Sequence, residues 1–269
     1  IFLVRAEFAD PVYARAIDGI AEASQKFGLH LILDHLRGDE KSIYDLPPIL
    51  RDGRIDGFVL TGDINPNIMT LLKKLKVPYV ILGSYSSEII QSSVNVLPDT
   101  KDSIAQVISR LKSEGKKRIA YFTEDFDNYF QQECLRFFKL ALEENDLPLH
   151  DDLIYFEKSP FAGAFKTFEK VFKQDTLPFD SIVALDFRAA QEISYLVMAY
   201  YGIGVKPEIT IATSPPFDYF KLPVPAVYLE GALDQTAYEA MEILYDIING
   251  KKENNSMQIL LKQEIKNSD

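Results

Sequence analysis

The stretch S-E-G-K-K-R-I-A-Y-F, residues 113–122, decides the fold. Gly115 stops a helical pattern, and the polar turn Lys116-Lys117 leads straight into the apolar run "RIAYF" at 118–122. Strands and helices already alternate upstream, and here the alternation starts a second time. One continuous β-α series would build one sheet. A restart halfway along the chain predicts two.

Upstream, "IFLV" (1–4) reads as a strand. Asp10-Pro11 then opens a helix, with Asp10 as N-cap and Pro11 in the first helical position. Tyr13, Ile17, Ile20, Ala21 and Ser24 continue it at helical spacing. "LHLIL" (29–33) predicts a second strand, and 39–53 a helix broken at Pro47-Pro48. "GFVL" (57–60) is a third strand, 64–76 a helix, and "PYVIL" (78–82) a fourth strand. A short extended piece near "SVNV" (93–96) precedes a helix marked by Ile104, Val107, Ile108 and Leu111.

Downstream, Phe130, Cys134, Phe137, Phe138 and Ala141 mark a helix, "LIYF" (153–156) a strand, and 161–174 a helix. "SIVAL" (181–185) is followed by a helix through Ala189, Ala190, Ile193, Leu196 and Val197. "ITIAT" (209–213) and "PAVYL" (225–229) are strands, and a long helix from Leu233 to Ile248 ends at Gly250. "MQILLKQEI" closes the chain as one or two strands. Strands covered on both faces are apolar throughout, as these are. The expectation is α/β: two doubly wound parallel-sheet lobes joined by a multi-strand hinge. Residues 1–114 with 230–254 form the N-terminal lobe, and 115–229 with 255–269 the C-terminal lobe. Ligands of such sheets sit beyond the C-terminal strand ends, so facing strand ends would hold one in a cleft between lobes.

Composition narrows the chemistry. The chain has 269 residues and a net charge of -11, with no basic cluster to meet a phosphate backbone. No apolar run approaches the ~20 residues of a membrane helix. Cys134 is the only cysteine, which rules out an intramolecular disulfide and a thiolate zinc cage and fits a reducing, cytoplasmic setting. The chain opens directly on a strand, without methionine or signal peptide, as a trimmed fragment would. Neither GxGxxG nor GxxxxGK[ST] nor GxSxG occurs, and His30, His35 and His150 stand apart. No enzyme activity, cofactor or metal is expected.

Taken in order, several segments resemble the effector-binding region of LacI/GalR-family transcriptional regulators, which has the periplasmic-binding-protein type I fold. "IFLVRAEFADPVYARAIDGIAEASQKFGLHLIL" is similar to that family's opening strand, loop and helix. "RIDGFVL" resembles R-[VI]-D-G-[IF]-[IV]-L, "VPYVILG" the strand after it, and "GKKRIAYF" the G-H-x-R-I-A turn. "PEITIAT" and "VPAVYLEGALDQTAYEAMEIL" resemble the late strand and the returning crossover. The resemblance covers essentially the whole chain. It implies a cytoplasmic, homodimeric, sugar-sensing repressor whose DNA-binding headpiece of roughly 60 residues lies upstream. The helices beginning "PVYARAIDGI" and "NIMTLLKKL" are the expected dimer surfaces. A solute receptor feeding a sugar transporter is the rival reading, which a secretory leader would favour.

The departures bear on the ligand. Where the family has G-[FY]-D-D, this chain has T-S-P-P (213–216). Its ligand-gripping R-x-x-G-[FY] aligns with Cys134 and Phe137, and its N-D pair with Leu185-Asp186. Asp10 reads as an N-cap or a cleft acid, and Tyr13 as core or as a ring-stacking face. Asp99 and Asp102 at "PDTKDS" read as helix caps or ligand contacts, and Asp186 as an N-cap or a contact, with Phe187 as a cleft wall. Cys134 reads as a buried small hydrophobe, or as a cleft residue by alignment. Lys158 is a solvated lysine or a grip on an anion. Thr213 and Ser214 offer neutral hydroxyls at a stiff strand edge, and Glu230 stands where relatives carry Gln.

Overall fold

The structure is a computed structural model that describes residues 2–4, 11–84, 86–123, 129–157, 163–173, 177–201, 209–214, 221–231 and 233–267. The chain divides into two compact units, Ile1–Pro98 with Ala232–Leu261, and Asp99–Gly231 with Lys262–Asp269. Each is built on one six-stranded sheet.

Unit 1 orders its strands β11-β5-β4-β3-β1-β2, all parallel. They are β1 (Phe2–Val4), β2 (Asp34–Leu36), β3 (Phe58–Gly62), β4 (Tyr79–Leu82), β5 (Val94–Pro98) and β11 (Met257–Leu261). Successive residues of β3 and β4 serve opposite faces, and both faces are apolar. Val59, Val80 and Leu82 join the core made by α1 (Pro11–Phe27) and α9 (Leu233–Ile248). Phe58, Leu60, Tyr79 and Ile81 join the opposite core, with Ile68, Met69 and Leu72 of α3 (Pro66–Lys73). Helix α1 lies close on α9: a β-carbon built on Gly19 would stand 2.0 Å from the Asp234 carbonyl oxygen.

Unit 2 orders its strands β12-β10-β9-β8-β6-β7. They are β6 (Ile119–Thr123), β7 (Ile154–Phe156), β8 (Ser181–Asp186), β9 (Thr210–Ser214), β10 (Ala226–Glu230) and β12 (Glu264–Asn267). All are parallel except β12, an antiparallel edge. One face, with Ala120, Phe122, Ile182, Ala184, Ile211 and Tyr228, packs on α7 (Gly163–Phe172) and α8 (Phe187–Tyr201). Phe168 is the centre of that core; Phe122, Tyr155, Phe172 and Phe179 surround it with ring centroids 4.8–6.3 Å away. Tyr121 points to the other face and meets Phe138 of α6 (Tyr129–Glu144) at 4.9 Å.

The restart at 113–122 has a defined geometry. Helix α5 (Thr100–Ser113) ends on Gly115, whose φ of +84° suits only glycine well. Lys116 N–H bonds Leu111 O (3.0 Å) and Gly115 N–H bonds Lys112 O (2.9 Å), the paired bonds that stop a helix on a left-handed residue. The Asp180 carboxylate then accepts the N–H groups of Lys117 and Arg118 and sets the start of β6.

Four expectations change. Residues 29–33 are not a strand; Leu29 and Leu31 pack against the α1/α9 core from a loop, and β2 begins at Asp34. The helix expected over 39–53 is reduced to a 3-10 turn (Ile43–Asp45) and a four-residue helix α2 (Pro48–Arg51), because Pro48 can begin a helix and cannot continue one. A short helix α4 (Ser87–Ser92) precedes β5. The unit boundary falls at Pro98/Asp99 rather than after 114, since α5 packs on α6, β10 and β12. The second boundary falls after Gly231 rather than after 229, and the last at Leu261/Lys262 rather than after 254, because β11 pairs with β5.

Candidate functional site

The parallel strands of unit 2 deliver Thr123, Asp186, Ser214 and Glu230 to their C-terminal ends. Asp186 and Ser214 are register partners on β8 and β9, reached through a bulge between Val183 and Asp186. Such bulges re-aim side chains at sheet rims. Asp186 Oδ1 accepts N–H bonds from Arg188 (2.8 Å) and Ala189 (3.2 Å), and its Oδ2 meets the Arg188 guanidinium at 3.2 Å. Ser214 Oγ donates to Leu229 O on β10 (3.1 Å), which leaves its lone pairs as acceptors. Thr123 Oγ1 donates to Gln131 Oε1 at 2.8 Å.

Glu230 ends β10 with a side chain only 8% exposed. Lys266 Nζ stands 2.5 Å from its Oε2, and Lys221 Nζ 3.6 Å from its Oε1. Lys221 also lies 4.6 Å from the Tyr228 ring centre. Two cations therefore compensate the buried carboxylate, as burial of a charge demands.

Thr213, Ser214, Asp186 and Glu230 thus come together on three adjacent strands. Thr213 is fully buried and its hydroxyl has no hydrogen-bond partner among the described residues. Asp99 is the N-cap of α5 and accepts from Asp102 N–H (3.2 Å), while Asp102 accepts from Gln106 Nε2 (2.7 Å). Phe187 lies in the α7/α8 core, where burial accounts for its apolar side chain. Cys134 is fully buried on α6, on the apolar stripe it shares with Phe137 and Phe138. Tyr13 belongs to unit 1, half-buried against the α1/α9 core. Asp10 and Lys158 lie outside the described residues.

At the strand ends of unit 1, Asn95 is fully buried and its amide closes on the Ser84 backbone. Its Nδ2 donates to Ser84 O (2.7 Å) and its Oδ1 accepts from Ser84 N–H (3.3 Å), which fixes the loop leaving β4. Sequence reading missed Asn95, Arg188, Lys221 and Lys266. The two lysines reach Glu230 from positions 9 and 36 residues away, Lys221 from the segment before β10 and Lys266 through the β10–β12 pairing.

Tyr121 carries a second hydroxyl without a hydrogen-bond partner among the described residues, fully buried beside Cys134. Burial pushes the Tyr121 phenol well above its ordinary 10.0 and the Cys134 thiol well above 9.0. Both raised values mean that the unfolded chain loses these protons first. These two groups therefore leave stability unchanged at neutral pH, lower it as an unfolded Cys134 ionises around pH 9, and lower it more steeply above pH 10 as Tyr121 follows. Each group adds about 1.4 kcal/mol per pH unit. Tyr121→Phe should raise stability at pH 8 by about 1 kcal/mol, since an orphaned buried hydroxyl is removed. Its advantage in urea unfolding should widen between pH 10 and 11.

Among the described residues no group of three or more His, Cys, Asp or Glu side chains is placed to hold a metal, and no helix is long and apolar enough to cross a membrane. The strand ends of unit 2 present hydrogen-bond acceptors and ion-paired charges.

Two α/β units, each on one mostly parallel six-stranded sheet, define the fold class. The chain belongs to the family described as periplasmic binding proteins and sugar binding domain of LacI family, whose model matches residues 1–213. It is 23% identical to catabolite control protein A of Staphylococcus xylosus over 166 residues, 61% of this chain and 50% of that protein. The chain thus spans about half the length of that curated relative. Among solved structures, the transcriptional regulator CelR–cellobiose complex superposes with a TM-score of 0.79 at 19% identity, covering 98% of this chain and 82% of that one. A LacI family transcriptional regulator from Enterococcus faecium with bound ribose gives 0.77 at 17% identity, covering 98% and 96%. The relatives are regulators by name, and the fold is theirs.

Proposed function

We propose that this chain is the effector-sensing core of a cytoplasmic bacterial transcriptional regulator, a repressor of carbohydrate-utilisation genes. Its effector is a sugar or sugar derivative held at the C-terminal strand ends. It acts as a homodimer and reaches DNA through an N-terminal headpiece, not through this acidic segment. The observation that carries the reading is the cluster Asp186–Ser214–Glu230, acceptors and braced charge at adjacent strand ends, on the fold of this family. Solved neighbours with ribose and with cellobiose add support for the ligand class.

Sensing requires only that the ligand prefer one conformation over another. A melting-temperature screen with D-ribose, cellobiose and their phosphorylated relatives tests it. A binder at 100 times its Kd should add about 2.7 kcal/mol. Ser214→Ala should shrink that gain while changing the unliganded protein by about 1 kcal/mol. A panel without any shift would overturn sugar sensing by this chain.

A further inference from the structure

Strand β12 (Glu264–Asn267) forms one edge of the unit 2 sheet. Its inner side pairs antiparallel with β10, and among the described residues no strand pairs with its outer side. A free edge presents a row of backbone donors and acceptors to another chain. Side chains alternate along it. Ile265 and Asn267 face α5, where with Gln106, Ser109, Arg110 and Ser113 they line an open groove of about 480 Å³. The short side chains of Ser109 and Ser113 leave room beside the edge. Glu264 and Lys266 belong to the opposite face.

Charged residues usually protect an edge, because like charges repel a second strand. The charges of β12 are of opposite sign and two residues apart. Two copies of β12 laid antiparallel, with the two-fold axis at Ile265, set each Glu264 opposite the other copy's Lys266. Ile265 then meets itself. An axis at Glu264 would set two glutamates together, and an axis at Lys266 two lysines. The registers in between set no two charges opposite each other. Charge therefore selects one register. Glu264 also lacks a cation of its own. Within its sheet it stands opposite Glu230, a like-charge pair, and its side chain is 77% exposed. Lys266 is shared, 2.5 Å from Glu230 and 3.4 Å from Glu264. A second copy brings Glu264 a second ammonium.

We propose that the outer edge of β12 is a self-association surface on which a second copy of this chain adds its own β12, antiparallel and centred on Ile265. The contact is isologous, so the same residues serve both copies. It joins two six-stranded sheets edge to edge. The two Ile265 side chains share the groove beside α5 and leave water together. This contact goes beyond the sensing function proposed above and needs no effector. It uses neither of the unit 1 helices expected at the homodimer surface, so it adds a second contact between copies.

Disulfide trapping tests the contact in the whole chain. Residues directly opposite across an antiparallel pair have Cα atoms about 4.5–5.5 Å apart, within disulfide reach. Under mild oxidation Ile265→Cys should cross-link copies about tenfold faster than the exposed control Asn254→Cys, because pairing concentrates the two thiols. Cys134, fully buried, stays out of the reaction. Charge reversal supplies the second arm. In the Ile265→Cys chain, Lys266→Glu alone or Glu264→Lys alone should bring the rate down to the control, since like charges then face each other. Mixing those two variants should restore cross-linking between them, because each Glu now meets a Lys of the other chain. A change inside one chain could not produce that recovery. A circular dichroism melt confirms that each variant folds, and Lys266→Gln stands in, with a partial loss, where Lys266→Glu does not. Ile265→Cys cross-linking no faster than Asn254→Cys would overturn the proposal. So would rates that charge reversal leaves unchanged, or a mixture that fails to recover. The sugar screen bears on none of these outcomes, so the two readings fail separately.

Discussion

Gly19→Ala is expected to cost unit 1 at least 3 kcal/mol, the upper range of overpacking penalties. The added β-carbon would meet the Asp234 carbonyl oxygen at 2.0 Å, with Asp234 C and Cα at 2.7 and 2.8 Å. All three are backbone atoms, so no side-chain rotation relieves the clash. Helix α1 must lift from α9, and that opens the core that Ala16, Ile20 and Ala23 make with Ala237, Ala240 and Met241. The Arg15–Asp234 ion pair, 3.4 Å in the structure, would be strained by the same movement. Hydrogen exchange resolved by peptide should show lost protection in residues 11–27 and 233–248, with β6 to β9 little changed. An unchanged melting temperature would refute the close packing of the two helices.

Phe168→Ala is the matching experiment in unit 2. Phe168 is fully buried and has four aromatic neighbours from β6, β7, α7 and the segment before β8. Truncation removes the side chain's transfer free energy and leaves a cavity that rigid rings fill poorly. A loss of about 3–5 kcal/mol is expected from urea denaturation. Protection should fall in β6 to β8, and the α1/α9 peptides should keep theirs. If both variants instead unfold all peptides together, the two units are one cooperative block.

How far the sequence could be read follows from what each strand buries. The runs at 57–60, 78–82, 181–185 and 209–213 were legible because helices cover both faces of those strands, so each is mostly apolar and its few hydroxyl residues, Ser181, Thr210 and Thr213, are themselves buried. β2 escaped because it is a three-residue edge strand reading Asp-His-Leu, with only Leu36 buried. The more apolar 29–33 segment beside it drew the assignment. β11 and β12 were legible as strands but not as members of different sheets. Only Lys262 and Gln263 separate Met257–Leu261 from Glu264–Asn267, and nothing local says that one pairs with β5 and the other with β10.

The candidate site divides in the same way. Asp186, Ser214 and Glu230 could be placed because strand ends follow from strand runs. The engagement of each could not. Asp186 is occupied by the first turn of α8, and Glu230 by lysines distant in sequence. Cys134 illustrates the opposite pull: its apolar stripe argued for burial, alignment argued for exposure, and the stripe describes its surroundings in the structure.

The discontinuous make-up of the units bears on how the chain acquires its shape during synthesis. Unit 1 needs α9 and β11, so its first 98 residues leave the ribosome without the helix that covers one face of their sheet. The whole of 99–231 is translated while that face has only α1 against it. Until residue 248 has emerged, Val59, Val80 and Val96 have α1 but no α9 to cover them, and apolar surface on that face stays in water.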